Sequence, residues 1–189
     1  LNFWKGCPMR RNARERWTFC AVSFVLLLCA ATYRPAIDGN SPGEISRFLR
    51  WEMANRGIGP IQLLAVEDEG ADRFAVFQGE KRPDERYLVR FRQNEDGEYE
   101  ADGHPMWMYG PYPVRGIYSQ ALDGDGEVCF AVWNESETLA EVRLQVNDAP
   151  EADVPIPAPP SLTIWRLQVA GTEWRLEDRY FDTAGNMLP

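Results

Sequence analysis

The feature that most limits how this chain can fold is an uncharged stretch near its start. Trp17 to Tyr33 is a run of seventeen residues without Asp, Glu, Lys or Arg. The run shows no polar face of the kind that a helix in a soluble core presents to solvent. As a helix rising about 1.5 Å per residue it would span roughly 25 Å, close to the thickness of a hydrocarbon core. These properties predict a segment that enters a membrane.

Arginines in front of this run predict its orientation. Four of them lie between residues 10 and 16, and Lys and Arg are enriched on the cytoplasmic side of membrane segments. An aromatic residue at each end of the run is typical of the interface between lipid and water. We therefore predict a basic cytoplasmic segment at 1–16, a single transmembrane anchor at 17–33, and export of the rest of the chain.

A second interpretation of this segment is a secretory signal peptide, which also combines a basic start, an apolar run and small residues at its end. Cys29, Ala30 and Ala31 would then supply the cleavage site. The anchor is the interpretation that we prefer. Both interpretations place the C-terminal domain outside the cell, either held at the cell membrane or secreted.

Charge excludes one class of partner. Residues 1–33 hold five basic residues and one acidic residue, a net charge of +4, whereas the whole chain carries −9. Residues 34–189 therefore carry −13. So acidic a domain repels phosphate backbones and anionic lipid headgroups. We predict that it binds no nucleic acid and that its contact with the membrane is made through residues 17–33.

A linker at 34–40 leads to a helix with clear start and stop signals. Ser41 and Glu44 form a capping box, Pro42 occupies the first helical position, and Gly57 is placed to close the end. The pattern predicts one soluble helix whose apolar face packs on the sheet that follows. The apolar residues on that face are Ile45, Phe48, Leu49 and Met53.

Strand-forming residues complete the part of the chain from 41 to 103. They occupy 61–67, 73–79 and 86–93, and turn residues separate these stretches. Residues 94–103 supply an Asp-Gly turn and a short return strand. We predict a small sheet of antiparallel hairpins.

A row of arginines marks the third of these strands, where Arg86, Arg90 and Arg92 fall on one face. A functional interpretation of this row is an anion-binding surface. The interpretation that we prefer is a solvated strand face whose cross-strand partners are Glu98 and Glu100.

Residues 104–113, with three prolines and a glycine, are expected to contain no regular element and to join two halves. The region 114–189 then alternates strands with turns, and its proline-rich stretch at 153–160 suits an exposed edge. We predict an α+β protein, mainly antiparallel β, in which a membrane helix, one soluble helix on a small sheet and a five-stranded sandwich-like unit follow one another. The five strands are expected at 114–122, 127–134, 139–147, 161–169 and 174–182.

Two stretches also resemble a known group of proteins. AVWNES followed by AEVRLQVN forms a strand–Asn–turn–strand pattern, and the chain closes on YFDTAGNMLP. Together with the basic signal-anchor, these stretches resemble small uncharacterised signal-anchored extracytoplasmic proteins of Gram-positive bacteria. Many of those proteins end in a strand, Asp, x, x, Gly, Asn turn. The resemblance covers most of residues 17–188 and implies location and a β-rich architecture, without catalytic residues.

Groups that could carry a reaction are few. His104 is the only histidine, and Cys129 is the only cysteine beyond residue 33, so that zinc sites with several histidines are excluded. Cys129 lies in a strand-like stretch and is expected to be a small buried apolar residue. The DGDG stretch from Asp123 lacks the glycine and glutamate positions of an EF-hand loop and is expected to be a turn. We predict a protein that is not an enzyme and has no metal or cofactor.

Three aromatic residues in the junction, Trp107, Tyr109 and Tyr112, are the candidate binding surface. Such rings stack on sugars or anchor a partner protein, although the use that we prefer is a plug between the two halves. We predict a non-enzymatic protein interaction or sensing module of the cell envelope, with an envelope protein or a glycan as partner. The alternatives are a carbohydrate-binding module that uses these rings and a hydrolase that acts through two carboxylates.

Overall fold

The computed structural model describes residues 39–54, 56–110, 114–122, 127–169 and 174–188, and only the backbone of 114–122 and of Glu127. These residues belong to one compact unit, Ile37–Pro189. The segments predicted at 1–16 and 17–33 lie outside the described residues, as do most of the linker, Tyr112 and the turn at 123–126. In the ranges described, no helix is long and apolar enough to cross a membrane.

The soluble helix, α1, extends from Pro42 to Glu52. Its start is as predicted, because the hydroxyl of Ser41 accepts a hydrogen bond from the backbone N–H of Glu44 (3.3 Å) and donates one to its carboxylate (2.8 Å). Its end comes earlier than predicted. Gly57 has a φ of +70° and lies in the turn that leads to the first strand.

The first sheet contains five strands, all paired antiparallel. Four follow the order β1-β2-β3-β4, and β5 pairs with β3 as well. The predicted hairpins are therefore confirmed. The strands are β1 (Ile61–Glu69), β2 (Asp72–Gly79), β3 (Arg82–Gln93), β4 (Tyr99–Ala101) and β5 (Met106–Met108).

Six further strands form two sheets of three strands each, in the orders β10-β7-β6 and β11-β8-β9. Five of them lie where the sequence predicts strands. The sixth, β9, lies in the proline-rich stretch and pairs with β8 alone, so that Pro155 sits on a sheet edge where its missing N–H is tolerated. The strands are β6 (Val114–Leu122), β7 (Glu127–Asn134), β8 (Leu139–Val146), β9 (Ala152–Pro155), β10 (Ser161–Gln168) and β11 (Leu176–Asp182).

Apolar side chains of the described residues form one cluster at each boundary between layers. The helix packs on one face of the first sheet, where the rings of Phe48 and Phe91 meet edge-on at 5.7 Å. The opposite face of that sheet packs against β7 and β10 through residues such as Leu88 and Trp133. The other face of β7 and β10 packs on β8 and β11. The protein is therefore α+β and mainly antiparallel β.

Candidate functional site

The candidate site lies on β5, a strand of only three residues, and on Tyr109, which directly follows it. The strand pairs with the outer side of β3, where Trp107 lies opposite Tyr87. Because side chains alternate along a strand, Met108 turns into the core with 3 % of its surface exposed, whereas Trp107 and Tyr109 are 58 % and 54 % exposed. The expectation that 104–113 contains no regular element is wrong for Met106–Met108. The prolines of this stretch flank these three residues and do not interrupt them.

The two exposed rings lie side by side. Their centroids are 6.4 Å apart and their planes are inclined by 49°. The plug interpretation is therefore wrong for Trp107 and Tyr109, since more than half of each side chain faces solvent. Tyr112, the third predicted member, lies outside the described residues. We call Trp107 and Tyr109 the aromatic pair.

A buried tyrosine supports the aromatic pair from the neighbouring strand. Tyr87 stacks on Phe77 with 5.3 Å between centroids, and its hydroxyl donates a hydrogen bond to the carboxylate of Glu85. Burial, together with that bond, raises the pKa of Tyr87 to about 12. The hydroxyl is therefore a neutral donor at physiological pH, and it fixes the carboxylate of Glu85 beside the pair.

Glu85 lies on the same face of the sheet as Trp107. The register pairs Arg86 with Met108 and Tyr87 with Trp107, so that Glu85, two residues before Tyr87 on the same strand, is a diagonal neighbour of Trp107. Arg82 donates a second hydrogen bond to the carboxylate at 3.0 Å, and 30 % of the Glu85 side chain is exposed. A ligand on the aromatic pair would therefore meet a partly neutralised carboxylate.

His104 connects the loop before β5 to the helix. Its Nδ1 lies 2.7 Å from the carboxylate of Glu52, the last residue of α1. The imidazole is 67 % exposed and the carboxylate 14 % exposed. The contact attaches the start of β5 to the helix, and it could not be predicted because the two residues are far apart in the sequence.

Two of the three arginines in the row on β3 are buried, contrary to the prediction of a solvated face. Arg86 and Arg90 are 8 % and 2 % exposed. Arg86 pairs with Glu135 at 2.6 Å, and Arg90 pairs with Asp102. For these two residues the prediction failed because the second sheet covers this face, and packing between sheets leaves no local signal in the sequence of β3.

The prediction is confirmed for the third arginine of the row. The side chain of Arg92 is 40 % exposed, and Arg92 lies opposite the predicted partner Glu100 in the register of β3 and β4.

A buried carboxylate joins two layers in the same region. Asp72 is 3 % exposed and lies 2.7 Å from Nη2 of Arg166, which β10 supplies, and 3.5 Å from Nε of Arg92. Arg166 also donates to the backbone carbonyl of Glu69 at 2.8 Å. These bonds hold β10 against the end of the first sheet, which is a structural role.

A shallow depression of about 250 Å³ lies at the outer end of β3 and β4. Its polar groups largely bond to one another, as the amide of Asn94 does with Glu100 (2.9 Å) and that of Gln93 with the carbonyl of Gly97 (2.9 Å). It offers a ligand few groups that are not already engaged. Its lining residues are Arg92, Gln93, Asn94, Glu100, Ala101 and Asp102.

The remaining candidates for chemistry have ordinary structural positions. Cys129 is 1 % exposed in the apolar cluster between the first two sheets, which confirms the predicted role. Asp182 accepts backbone N–H bonds from Ala184 and Asn186 and so builds the closing turn. Among the residues described, no three of His, Cys, Asp and Glu come together as metal ligands could.

Comparison of the chain with protein-family models, with curated proteins and with solved structures found no match. The function is therefore inferred from the side chains themselves.

Proposed function

We propose that this protein is a membrane-tethered extracytoplasmic domain that binds another protein of the cell envelope and catalyses no reaction. The observation that carries the proposal is the exposure, side by side, of Trp107 on strand β5 and of Tyr109 directly after that strand. Large aromatic side chains concentrate binding energy at protein interfaces because they bury much area and lose little conformational freedom. Two such side chains next to each other can therefore bind a partner protein tightly.

The position of the aromatic pair in the fold supports this role. The chain enters the domain beside β4, where the N–H of Gly39 donates to the carbonyl of Tyr99 at 2.6 Å and Arg73 donates to the carbonyl of Gly39 at 2.9 Å. Tyr99 pairs with Gln93 at one end of β3, and Trp107 pairs with Tyr87. Six residues of strand separate these points, about 20 Å, so that the preceding chain does not enter beside the pair.

A second candidate function is carbohydrate binding by the same two rings, which their exposure also favours. Sugar rings stack on the flat faces of aromatic side chains. The inclination of 49° between the rings means that they form no common plane, and a sugar would stack on one ring at a time. A partner that presents a three-dimensional surface fits the inclined pair better.

Cross-linking in intact cells tests the binding role. A photoreactive phenylalanine derivative, which keeps an aromatic ring at the site, replaces Trp107 in the full chain, and a matched control carries it at Met187, which is 65 % exposed on the closing turn. We expect a discrete cross-linked protein from position 107 that is absent from position 187 and weakened by Tyr109→Ala. Equal cross-linking from both positions, or none from position 107, would contradict the proposal.

Lysine labelling tests the proposed extracytoplasmic location of the domain separately. The chain contains only two lysines, Lys5 and Lys81. Lys81 is exposed in the turn between β2 and β3, whereas Lys5 falls in the predicted cytoplasmic segment. An amine reagent that cannot cross membranes is expected to modify Lys81 in intact cells and Lys5 only after lysis. Modification of Lys81 only after lysis would contradict the extracytoplasmic location.

A further inference from the structure

The geometry of the aromatic pair suits a positive charge. A cation interacts favourably with a ring face within about 6 Å of its centroid. With centroids 6.4 Å apart, a cation roughly 3 Å above their midpoint would lie about 4.5 Å from both at once. A single charge can therefore lie within this distance of both ring centroids, whereas one sugar ring cannot stack flat on two planes inclined by 49°.

The described residues of this domain contain two such contacts between an arginine and an aromatic ring. The guanidinium carbon of Arg73 lies 4.0 Å from the centroid of the Tyr99 ring, and that of Arg143 lies 4.0 Å from the Phe181 ring. In both cases the guanidinium group of an arginine of the chain lies over an aromatic ring. Among the described side chains, no cation covers either ring of the aromatic pair in this way.

The negative charge of the domain also attracts positively charged groups. Residues 34–189 carry −13, and the long-range field of such a domain attracts cations and repels anions. The carboxylate of Glu85 is fixed by Tyr87 and Arg82, and Tyr87 is the residue that lies opposite Trp107. A ligand with a positive group would therefore gain from the rings, from the neighbouring carboxylate and from the net charge.

We infer that the aromatic pair receives a lysine or arginine side chain of a basic segment in the partner protein, which rests on the binding role proposed above. The cationic group sits over both rings, and its aliphatic stem lies along the indole of Trp107. The rest of the basic segment meets an acidic domain. The partner is thus a protein with exposed basic residues.

Peptide binding to the full chain in lipid nanodiscs tests the inference. The probes are two fluorescein-labelled peptides, one with the unit Gly-Ser-Arg repeated four times and one in which Gln replaces each Arg. We expect the arginine peptide to bind, the glutamine peptide not to bind, and the dissociation constant to rise about five-fold or more in Trp107→Ala and in Tyr109→Ala. Trp107→Phe is expected to keep part of the affinity, and Trp107→Lys to lose more than Trp107→Ala.

Trp51→Ala is the matched control, because Trp51 is a tryptophan that is 45 % exposed and lies on the helix. We expect it to bind the arginine peptide as the unaltered chain does. Equal affinity in the unaltered chain and in both aromatic variants would show attraction to the acidic domain alone and would overturn the inference. Equal binding of the glutamine peptide would overturn it as well, as would preferential, Trp107-dependent binding of a neutral oligosaccharide.

Failure of this inference and failure of the proposed function give different results. A cross-link from position 107 together with peptide binding that ignores Trp107 would keep the binding role and remove the cationic ligand. Peptide binding that depends on Trp107 in vitro, without a cross-link in cells, would remove the protein partner and keep the cation site.

Discussion

Arg90 and Asp102 form an ion pair in which the guanidinium is 2 % exposed and the carboxylate 34 % exposed. Two of the guanidinium nitrogens, Nε and Nη1, have no hydrogen-bond partner among the described residues. The pair is therefore asymmetric, because the arginine depends on a single carboxylate whereas Asp102 also reaches solvent and Arg92. Removing the carboxylate and removing the guanidinium should therefore lower the free energy of unfolding by different amounts.

Removing the carboxylate is expected to destabilise the domain more than removing the arginine. Asp102→Asn leaves a buried guanidinium without its counter-charge, at a cost of about 3 kcal/mol. Arg90→Met replaces the buried charge with an apolar chain of similar length and leaves a carboxylate that water can solvate. Urea unfolding of both variants measures which of them loses more free energy of unfolding. A larger loss for Arg90→Met would contradict this account of the pair.

Acid is expected to weaken the contact between Asp68 and Arg73. Arg73 donates two hydrogen bonds to the carboxylate, at 2.6 and 2.7 Å, and these bonds lower the pKa of Asp68 below its ordinary value. Since the folded pKa is depressed, the contribution to stability is present above the ordinary pKa of about 4 and is lost as the pH falls through the folded value.

The variant Asp68→Asn tests this dependence. It is expected to be less stable than the unaltered chain at pH 7, and the difference in unfolding free energy should shrink as the pH falls through the lowered folded pKa of Asp68. Asp148→Asn, at an exposed turn position, is the control and should show little difference at either pH. If Asp68→Asn lowered the free energy of unfolding by the same amount at pH 7 and at about pH 2, the stabilising role of the ion pair would be refuted.

Close packing at Gly79 is expected to exclude even a methyl group. A Cβ at this position would lie 2.3 Å from the carbonyl oxygen of Ile58 and 2.7 Å from its Cβ. Gly79→Ala should therefore destabilise the domain by about 1–3 kcal/mol, because backbone must move. Gly43→Ala, in the first turn of α1, is the control, since its nearest contact would be 3.9 Å away. Thermal unfolding distinguishes them, and equal melting temperatures would refute the prediction.

A buried amide holds the turn after β7. Asn134 is fully buried, donates to the carbonyl of Pro157 at 3.1 Å and accepts from the N–H of Ser136 at 2.8 Å. Asn134→Ala leaves both backbone groups without this partner and is expected to cost about 1–3 kcal/mol. Asn186→Ala removes an exposed amide from the closing turn and should cost less. Denaturant unfolding that ranks them in the opposite order would disprove the assignment.

The two tryptophans Trp107 and Trp133 should respond very differently to truncation. Trp133 is 3 % exposed between the first two sheets, and Trp133→Ala is expected to cost about 3–5 kcal/mol. Trp107→Ala removes a side chain that is 58 % exposed and should change stability by less than about 0.5 kcal/mol. Unfolding of the two variants checks this. A large loss for Trp107→Ala would mean that its main role is in the fold.

Local signals in the sequence predicted the elements well. The capping residues Ser41 and Glu44 specify the start of α1 through bonds within four residues. Strands at 61–67, 73–79 and 86–93 were predicted because alternation and turn chemistry act over similarly short distances. Strand β9 is not among the five predicted strands, although its proline-rich stretch was correctly expected at an exposed edge, which is where β9 pairs with β8 alone.

The burial of two arginines on β3 could not be predicted from the sequence. Alternation correctly places Arg86 and Arg90 on one face and Tyr87 on the other, but it does not tell which face is buried. Both faces are covered, and the partner Glu135 comes from a distant part of the chain, whereas Asp102 directly follows β4 of the same sheet. Such pairings depend on how whole layers stack.

The sequence by itself determined the order of helix and strands, the acidic character of the domain and the identity of the aromatic residues, because these follow from composition and from interactions between near neighbours. Only the tertiary structure decided that a second sheet buries two arginines of β3 and that Trp107 and Tyr109 face solvent. The physical reason is that exposure is a property of the assembled layers. A strand of alternating side chains presents one face or the other to water only after its neighbours have packed.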